Sequence, residues 1–272
     1  MPARPPEPSI ASLRDAPGDG DSLAQYWTFY WAVAAAQLAR WLPLKPARVL
    51  DLSGATSQSA AQAASAGHSV LQVLDPHLGG PRVNGRPRPL PPRPGAARKP
   101  IPGTIRKVIA ESSSLSFLAD ASTDAVIAEG RVLSRHLVTE SAVGEIARVL
   151  RPGGRVLLSV DSLTLGMALL AEQNYWAHLS DVPSAEVVLV PWPDGTITRC
   201  FGAEQLRELL TEAGLEVEWI RPRTVLSPST VEHVLTGSPR SLTRLVRTEV
   251  TSPLGDESLG IHLLASAIRP HP

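Results

Sequence analysis

Five carboxylates stand at or beside the ends of short apolar runs: Asp51, Asp75, Glu111, Glu129 and Asp161. The runs before them, at residues 48–52, 69–74, 104–110, 124–128 and 155–160, have the length and apolar content of strands buried in a sheet. In an open α/β sheet, ligands bind beyond the carboxyl ends of the strands. These acids would therefore line one crevice. Ionised carboxylates accept strong hydrogen bonds, so such a crevice suits a ligand with ribose hydroxyls, an amine and a positive charge. The loop after the first run, Asp51-Leu-Ser53-Gly54-Ala55-Thr-Ser57, is made of small residues and leaves the backbone open to close approach. A carboxylate after a strand also serves simply to cap the next helix, so the five acids together carry more than any one. His136, a few residues past the fourth run, is the best-placed general base by sequence, with His178 a second candidate.

The elements that must position these residues alternate between strand and helix. Residues 21–42 place Leu23, Trp27, Tyr30, Trp31, Ala34, Leu38 and Trp41 at steps of three and four, a helix whose start Asp21 or Ser22 can cap and which Pro43 follows. Helices are also expected at 57–66, 141–150, 162–180 and 203–213, a hairpin at 187–199 around Pro191-Trp-Pro-Asp-Gly195, and final strands at 217–220 and 261–268. This alternation means a parallel sheet wrapped by helices. One domain is expected over residues 21–272, after a disordered tail at 1–20 rich in proline, glycine and aspartate. Residues 76–103 break the rhythm with nine prolines and six basic residues, and read as a coil in place of a crossover helix.

The composition narrows the function classes. The formal net charge is zero and 43% of residues are hydrophobic, so no global field steers the chain to nucleic acid or anionic lipid. No run reaches the roughly 20 apolar residues of a membrane helix, and a cytoplasmic setting is expected. The lone cysteine, Cys200, allows no internal disulfide and no cysteine metal cluster. Residues 76–110 hold eight arginines or lysines and no acid, but no aromatics for base stacking, so nucleic acid is not expected as a partner. Tyr26, Trp27, Tyr30, Tyr175, Trp176 and Trp192 fall in the first helix and in the 162–199 segment. They suit a planar small-molecule acceptor under a cap, or packing of the first helix on the sheet.

The chain resembles the class I S-adenosylmethionine (SAM)-dependent methyltransferases over roughly residues 45–220. The stretch Glu145-Ile-Ala-Arg-Val-Leu-Arg-Pro-Gly-Gly-Arg-Val-Leu-Leu158 carries the resemblance best, supported by Ala110-Glu111-Ser112 and by Phe201-Gly-Ala-Glu-Gln-Leu. The resemblance implies a Rossmann-like seven-stranded, mostly parallel sheet with helices on both faces and the last strand antiparallel. It implies SAM as cofactor, held by Asp51, Ser53, Gly54, Ala55, Asp75, Glu111, Ser112 and Glu129, with Asp75 on the ribose hydroxyls, and it implies no metal. The glycine loop departs from the family pattern. Its three glycine positions fall on Ser53, Ala55 and Ser57, while the one glycine, Gly54, sits at a variable position. A left-handed conformation costs an L-residue roughly 1–2 kcal/mol, so a shifted loop with weaker SAM binding is expected. The alternative is a non-catalytic protein of the same fold that binds a ligand or partner. A nicotinamide oxidoreductase ranks last, because Gly-x-Gly-x-x-Gly is absent after the first strand.

Overall fold

The computed structural model describes residues 23–55, 57–78, 103–192, 195–252 and 260–272. The expected tail at 1–20, the caps Asp21 and Ser22, and most of the 76–103 insert lie outside the described residues.

A seven-stranded sheet in the order β3-β2-β1-β4-β5-β9-β8 forms the centre. Its strands are β1 (Arg48–Asp51), β2 (Ser69–Leu74), β3 (Thr104–Ile109), β4 (Thr123–Ala128), β5 (Leu150–Asp161), β8 (Glu216–Pro222) and β9 (His262–Ile268). Strands β3, β2, β1, β4 and β5 pair in parallel. β9 runs antiparallel to both β5 and β8, as the resemblance implied. A separate hairpin, β6 (Val188–Pro191) and β7 (Ile197–Cys200), occupies the expected place. The Arg151-Pro-Gly-Gly154 turn is absorbed into β5 as an irregular stretch, with a register shift against β4 and Gly153 at φ +75°.

Side chains alternate across the strands, and consecutive residues enter two different cores. Val49, Ile127 and Leu157 face α1 (Ala24–Trp41) and α2 (Ser59–Ser65). Leu50, Val126 and Leu158 face α4 (Thr139–Val149) and α7 (Ala203–Glu212). Burial on both faces explains why these strands read as continuous apolar runs rather than alternating ones.

Helix α1 is buried on more sides than its single stripe indicated. Tyr26, Phe29, Val33 and Gln37 are buried along with most of the expected face, while Trp31 is exposed. The cause is a pair of helices the sequence analysis left unassigned, α8 (Pro228–Gly237) and α9 (Leu242–Thr251), which pack on α1 from outside. The expected 162–180 helix breaks in two, α5 (Leu163–Glu172) and α6 (Trp176–Asp181), at Asn174, which takes φ +60°. These helices and the β6–β7 hairpin share a small core of their own around Leu165, Leu169, Val190 and Trp192. A short helix, α3 (Val132–Arg135), follows β4. The connection from β3 to β4, residues 110–122, holds no helix; α4 pins it instead. Glu145 accepts from the Leu115 amide, and Arg148 donates to the carbonyls of Leu115 and Leu118. Among the described residues, no helix is long and apolar enough to cross a membrane.

Candidate functional site

The parallel topology brings the tips of β1, β2, β3, β4 and β5 to one end of the sheet, with the β8 tip and the start of β9 beside them. All five expected acids are at that end, but their partners differ.

The loop after β1 is organised by Asp51. This carboxylate is fully buried and accepts the Ser53 amide at 2.8 Å and the Ser59 hydroxyl at 2.7 Å. Burial outweighs those hydrogen bonds and raises its pKa. The replacements for glycine turn out to be working residues. The Ser53 hydroxyl accepts the Glu129 amide at 3.0 Å, tying the β1 loop to the β4 tip. Ser57 meets the Ser59 hydroxyl at 2.6 Å and accepts the Ser59 amide, at the entrance to α2. The left-handed position has moved to Gly54, at φ +87°, whose carbonyl accepts from the Gln72 side chain. A Cβ on Gly54 would meet nothing within 4 Å, so the loop borders open space there. Ala55 is exposed.

Asp75 lies at the β2 tip with its side chain only 2% exposed. One oxygen accepts the His77 amide at 2.8 Å; the other accepts both the amide and the hydroxyl of Ser112 at 2.7 Å. Burial alone would raise its pKa, but the Ser112 and His77 hydrogen bonds prevail and lower it. Ser112 has one hydroxyl proton, and Asp75 takes it. The 2.7 Å contact between Ser112 Oγ and His136 Nε2 therefore needs a proton on Nε2, which leaves the lone pair on Nδ1. Burial lowers the His136 pKa against the pull of Asp75, keeping the ring neutral near pH 7. Glu111 stays exposed at the β3 tip, 3.4 Å from His77.

At the β4, β5 and β8 tips the acids meet cations. Glu129 pairs with Arg223 at 2.7 Å, both nearly fully buried, and Arg223 also donates to Gln37 at 2.8 Å. Burial disfavours the Arg223 charge, but Glu129 and Tyr30 together more than offset it and raise its pKa. Asp161 lies 3.4 Å from Arg131 and 3.5 Å from His262 Nε2. The Tyr30 hydroxyl and His262 Nδ1 are 3.0 Å apart. Arg131 follows Gly130 in the left-handed region, at φ +61° and +71° respectively, a turn that sends its guanidinium back toward β5. Sequence reading missed Arg223, Gln37, Arg131 and His262. The type of residue gave no signal, since their meeting depends on α1 crossing the β8 and β9 ends.

The aromatic acceptor pocket is not assembled as expected. Tyr26, Trp27 and Tyr30 are buried against one another and against the α8–α9 pair. Trp192 is buried, with its indole donating to Thr198 at 2.7 Å. Only Tyr175 and Trp176 of that set are exposed, and His178 sits edge-on to Tyr175. A surface depression lined by Arg207, Leu215, Val217 and Pro270 belongs to the opposite end of the sheet. Among the described residues, no cluster of histidine, cysteine and carboxylate side chains could hold a metal ion.

No family model matches the chain, and no curated protein matches it in sequence. Solved structures do share its fold. A SAM-dependent methyltransferase from Methanosarcina mazei superposes with a TM-score of 0.53 at 17% identity, covering 86% of this chain and 97% of that one. The 1,6-didemethyltoxoflavin N1-methyltransferase of Burkholderia thailandensis, solved with 1,6-didemethyltoxoflavin and S-adenosylhomocysteine, gives 0.52 at 19% identity, covering 90% and 81%. The cyclase SpnF gives 0.51 at 17% identity, covering 95% and 85%. The chain is built on the fold of the SAM-dependent methyltransferases, and at these identities the likeness is one of fold.

Proposed function

We propose that the crevice beyond β1, β2 and β3 binds SAM and that the chain is a methyltransferase acting on a small molecule in the cytoplasm. The observation that carries this reading is the β1 loop. It has lost the family's glycines, yet Asp51 holds the Ser53 amide and the Ser59 hydroxyl, and Gly54 borders open space. The residues available to hold the donor fit it. A carboxylate has about four accepting positions; Asp75 uses three, leaving one on Oδ1 for a ribose hydroxyl. The exposed Glu111 adds a second acceptor beside it. Bound SAM supplies an electrophilic methyl group on a sulfonium. The chain's share is to hold donor and acceptor in contact, which can lower a barrier by about 7–11 kcal/mol. His136, neutral and basic at Nδ1, is suited to take a proton from a hydroxyl or amine acceptor, a role worth about 10²–10⁴-fold. The exposed Tyr175 and Trp176 of the 162–199 cap are the apolar surface left for a planar acceptor.

A second reading, a non-catalytic protein of this fold, is favoured by the internal engagement of Asp75 and Glu129. The fold alone does not decide, since it hosts a cyclase as well as methyltransferases. Calorimetric titration of the full-length protein with SAM and with S-adenosylhomocysteine separates the readings. Saturable binding of both, with methyl label passing from SAM to a metabolite fraction, is the expected outcome. Heat from neither ligand ends the enzyme reading; binding without any transfer leaves the second. Asp75→Asn should weaken SAM binding by about tenfold or more, because a charge-assisted acceptor becomes a neutral one. An unchanged affinity means that the ribose is held elsewhere.

A further inference from the structure

Strand β3 differs from every other strand of the main sheet. It closes one edge, and all its residues except Val108 are exposed. Two of them are isoleucines: Ile105 is 40% exposed and Ile109 is 76% exposed. The cause is topological. The β3–β4 connection carries no helix, and α2 leans mainly on β2. Beyond β3 no strand pairs with it among the described residues, so its outward amides and carbonyls offer a ladder. Exposed apolar edges of this kind are normally blunted or covered, because they template strand addition.

We propose that the β3 edge docks an acidic, extended segment of a partner protein, which adds to the sheet as a further strand. Main-chain hydrogen bonds supply affinity in such docking and side chains supply selectivity. Here the selectivity is electrostatic. Arg106 and Lys107 are consecutive and exposed, so they point to opposite faces. An added strand meets a cation on each face, and carboxylates at neighbouring positions satisfy both. Ile105 and Ile109 share a face with Lys107 and give apolar contact on either side of it. A second copy of this chain is a poor occupant. Two-fold antiparallel pairing centred on Thr104–Ile109 sets either Arg106 opposite Arg106 or Lys107 opposite Lys107 of the other copy, and like charges directly opposite destabilise a sheet. The chain's own residues 76–103 are also a poor match by composition, with nine prolines that cannot donate to a ladder and six further cations. The inference is independent of what the crevice binds.

The test uses the full-length protein and a fluorescent peptide about as long as β3, with two consecutive glutamates between flanking valines, so that one carboxylate falls on each face. The same peptide with lysine in place of glutamate is the control. Expected results are saturable binding of the acidic peptide that weakens with salt, no binding of the basic one, and slowed hydrogen exchange at residues 104–109 on addition of the acidic peptide. The double variant Arg106→Glu/Lys107→Glu should lose at least about tenfold in affinity for the acidic peptide and gain binding of the basic one. Both side chains are exposed, so an unchanged melting curve is expected and confirms that the variant is folded. Failure of the acidic peptide to bind, equal binding of both peptides, or an affinity that charge reversal leaves unmoved overturns the proposal. So does strong protection, before any peptide is added, of those amides of 104–109 that are not bonded to β2, whether from the chain's own residues or from a dimer seen by sedimentation.

Discussion

The tips of β1, β2 and β3 and the tips of β4, β5 and β8 both present buried acids, but they partner them differently. In the first half the donors are neutral: the Ser53 amide and Ser59 hydroxyl on Asp51, and Ser112 and His77 on Asp75. In the second half the partners are guanidinium groups, Arg223 on Glu129 and Arg131 on Asp161. A hydrogen bond from a neutral donor to a carboxylate contributes about 1.5–3 kcal/mol net, and the donor can be exchanged for a ligand's hydroxyl at little cost. Separating a buried ion pair strands a charge and costs more, about 3–5 kcal/mol. The first half can therefore yield to a polar ligand, whereas the second is closed by α1 and held shut. A carboxylate's place at a strand tip does not decide its role; the group that answers it does.

The sharpest way to break this contrast is to remove Arg223. Arg223→Met keeps the length of the side chain and leaves Glu129 buried without its cation, which should destabilise the fold by about 3–5 kcal/mol in urea denaturation. The double variant Glu129→Leu/Arg223→Met removes both charges and should regain most of that loss, since a buried pair replaced by apolar groups is often neutral. A single variant that costs under about 1 kcal/mol would show that water reaches Glu129, and the two halves would then be alike.

Acid provides a second, smaller test of the closed half. Burial, then Arg131 and Arg223, hold the His262 pKa well below the ordinary histidine value. The groups facing it are Tyr30 from α1, Asp161 from β5, Arg131 after β4 and Arg223 after β8. The sign follows from linkage: the unfolded chain binds a proton below about pH 6.5 while the folded ring stays neutral, so stability is full above that pH and lost as pH falls. The loss approaches about 1.4 kcal/mol per pH unit for each such histidine. His136 and His68, also lowered by burial, add in the same direction. Urea denaturation at several pH values between about 7.5 and 5.5 should show this slope, and His262→Gln should remove its share. A profile equally steep in that variant would mean that His262 already meets solvent.

The contrast between the halves also marks what could be read from the sequence. The strands, their assembly into a parallel sheet and the acids at their tips were legible, because two-sided burial writes itself as apolar runs and a strand end as a change to polar residues; the spatial order of the strands was not. The antiparallel β9 was available only through the family resemblance. What escaped was long-range. Arg223 reaches Gln37 across 186 positions and Glu129 across 94, distances over which spacing carries no signal. The same holds for α1, whose stripe looked single-sided because α8 and α9, which bury its other side, lie near the far end of the chain. At the β1 loop the loss of glycines was plain, but its meaning was not. Ser53 and Ser57 read as tolerated small residues, and only their hydrogen bonds to Glu129 and Ser59 show them as replacements with duties.

That loop supports two finer tests of the yielding half. Gly54→Ala meets no neighbour within 4 Å, so its cost is the left-handed backbone alone, about 1–2 kcal/mol. A much larger loss on urea denaturation would mean that the space beside the loop is filled. Ser53→Gly moves the sequence back toward the family's glycine pattern, and if glycine content alone governed SAM affinity it should tighten binding. The Glu129 amide argues otherwise, because it would lose its acceptor. We expect Ser53→Gly to cost about 0.5–1.5 kcal/mol of stability and to leave SAM affinity unimproved by calorimetry. Tighter binding at unchanged stability would show that the serine is an obstacle in the crevice rather than the tie between its two halves.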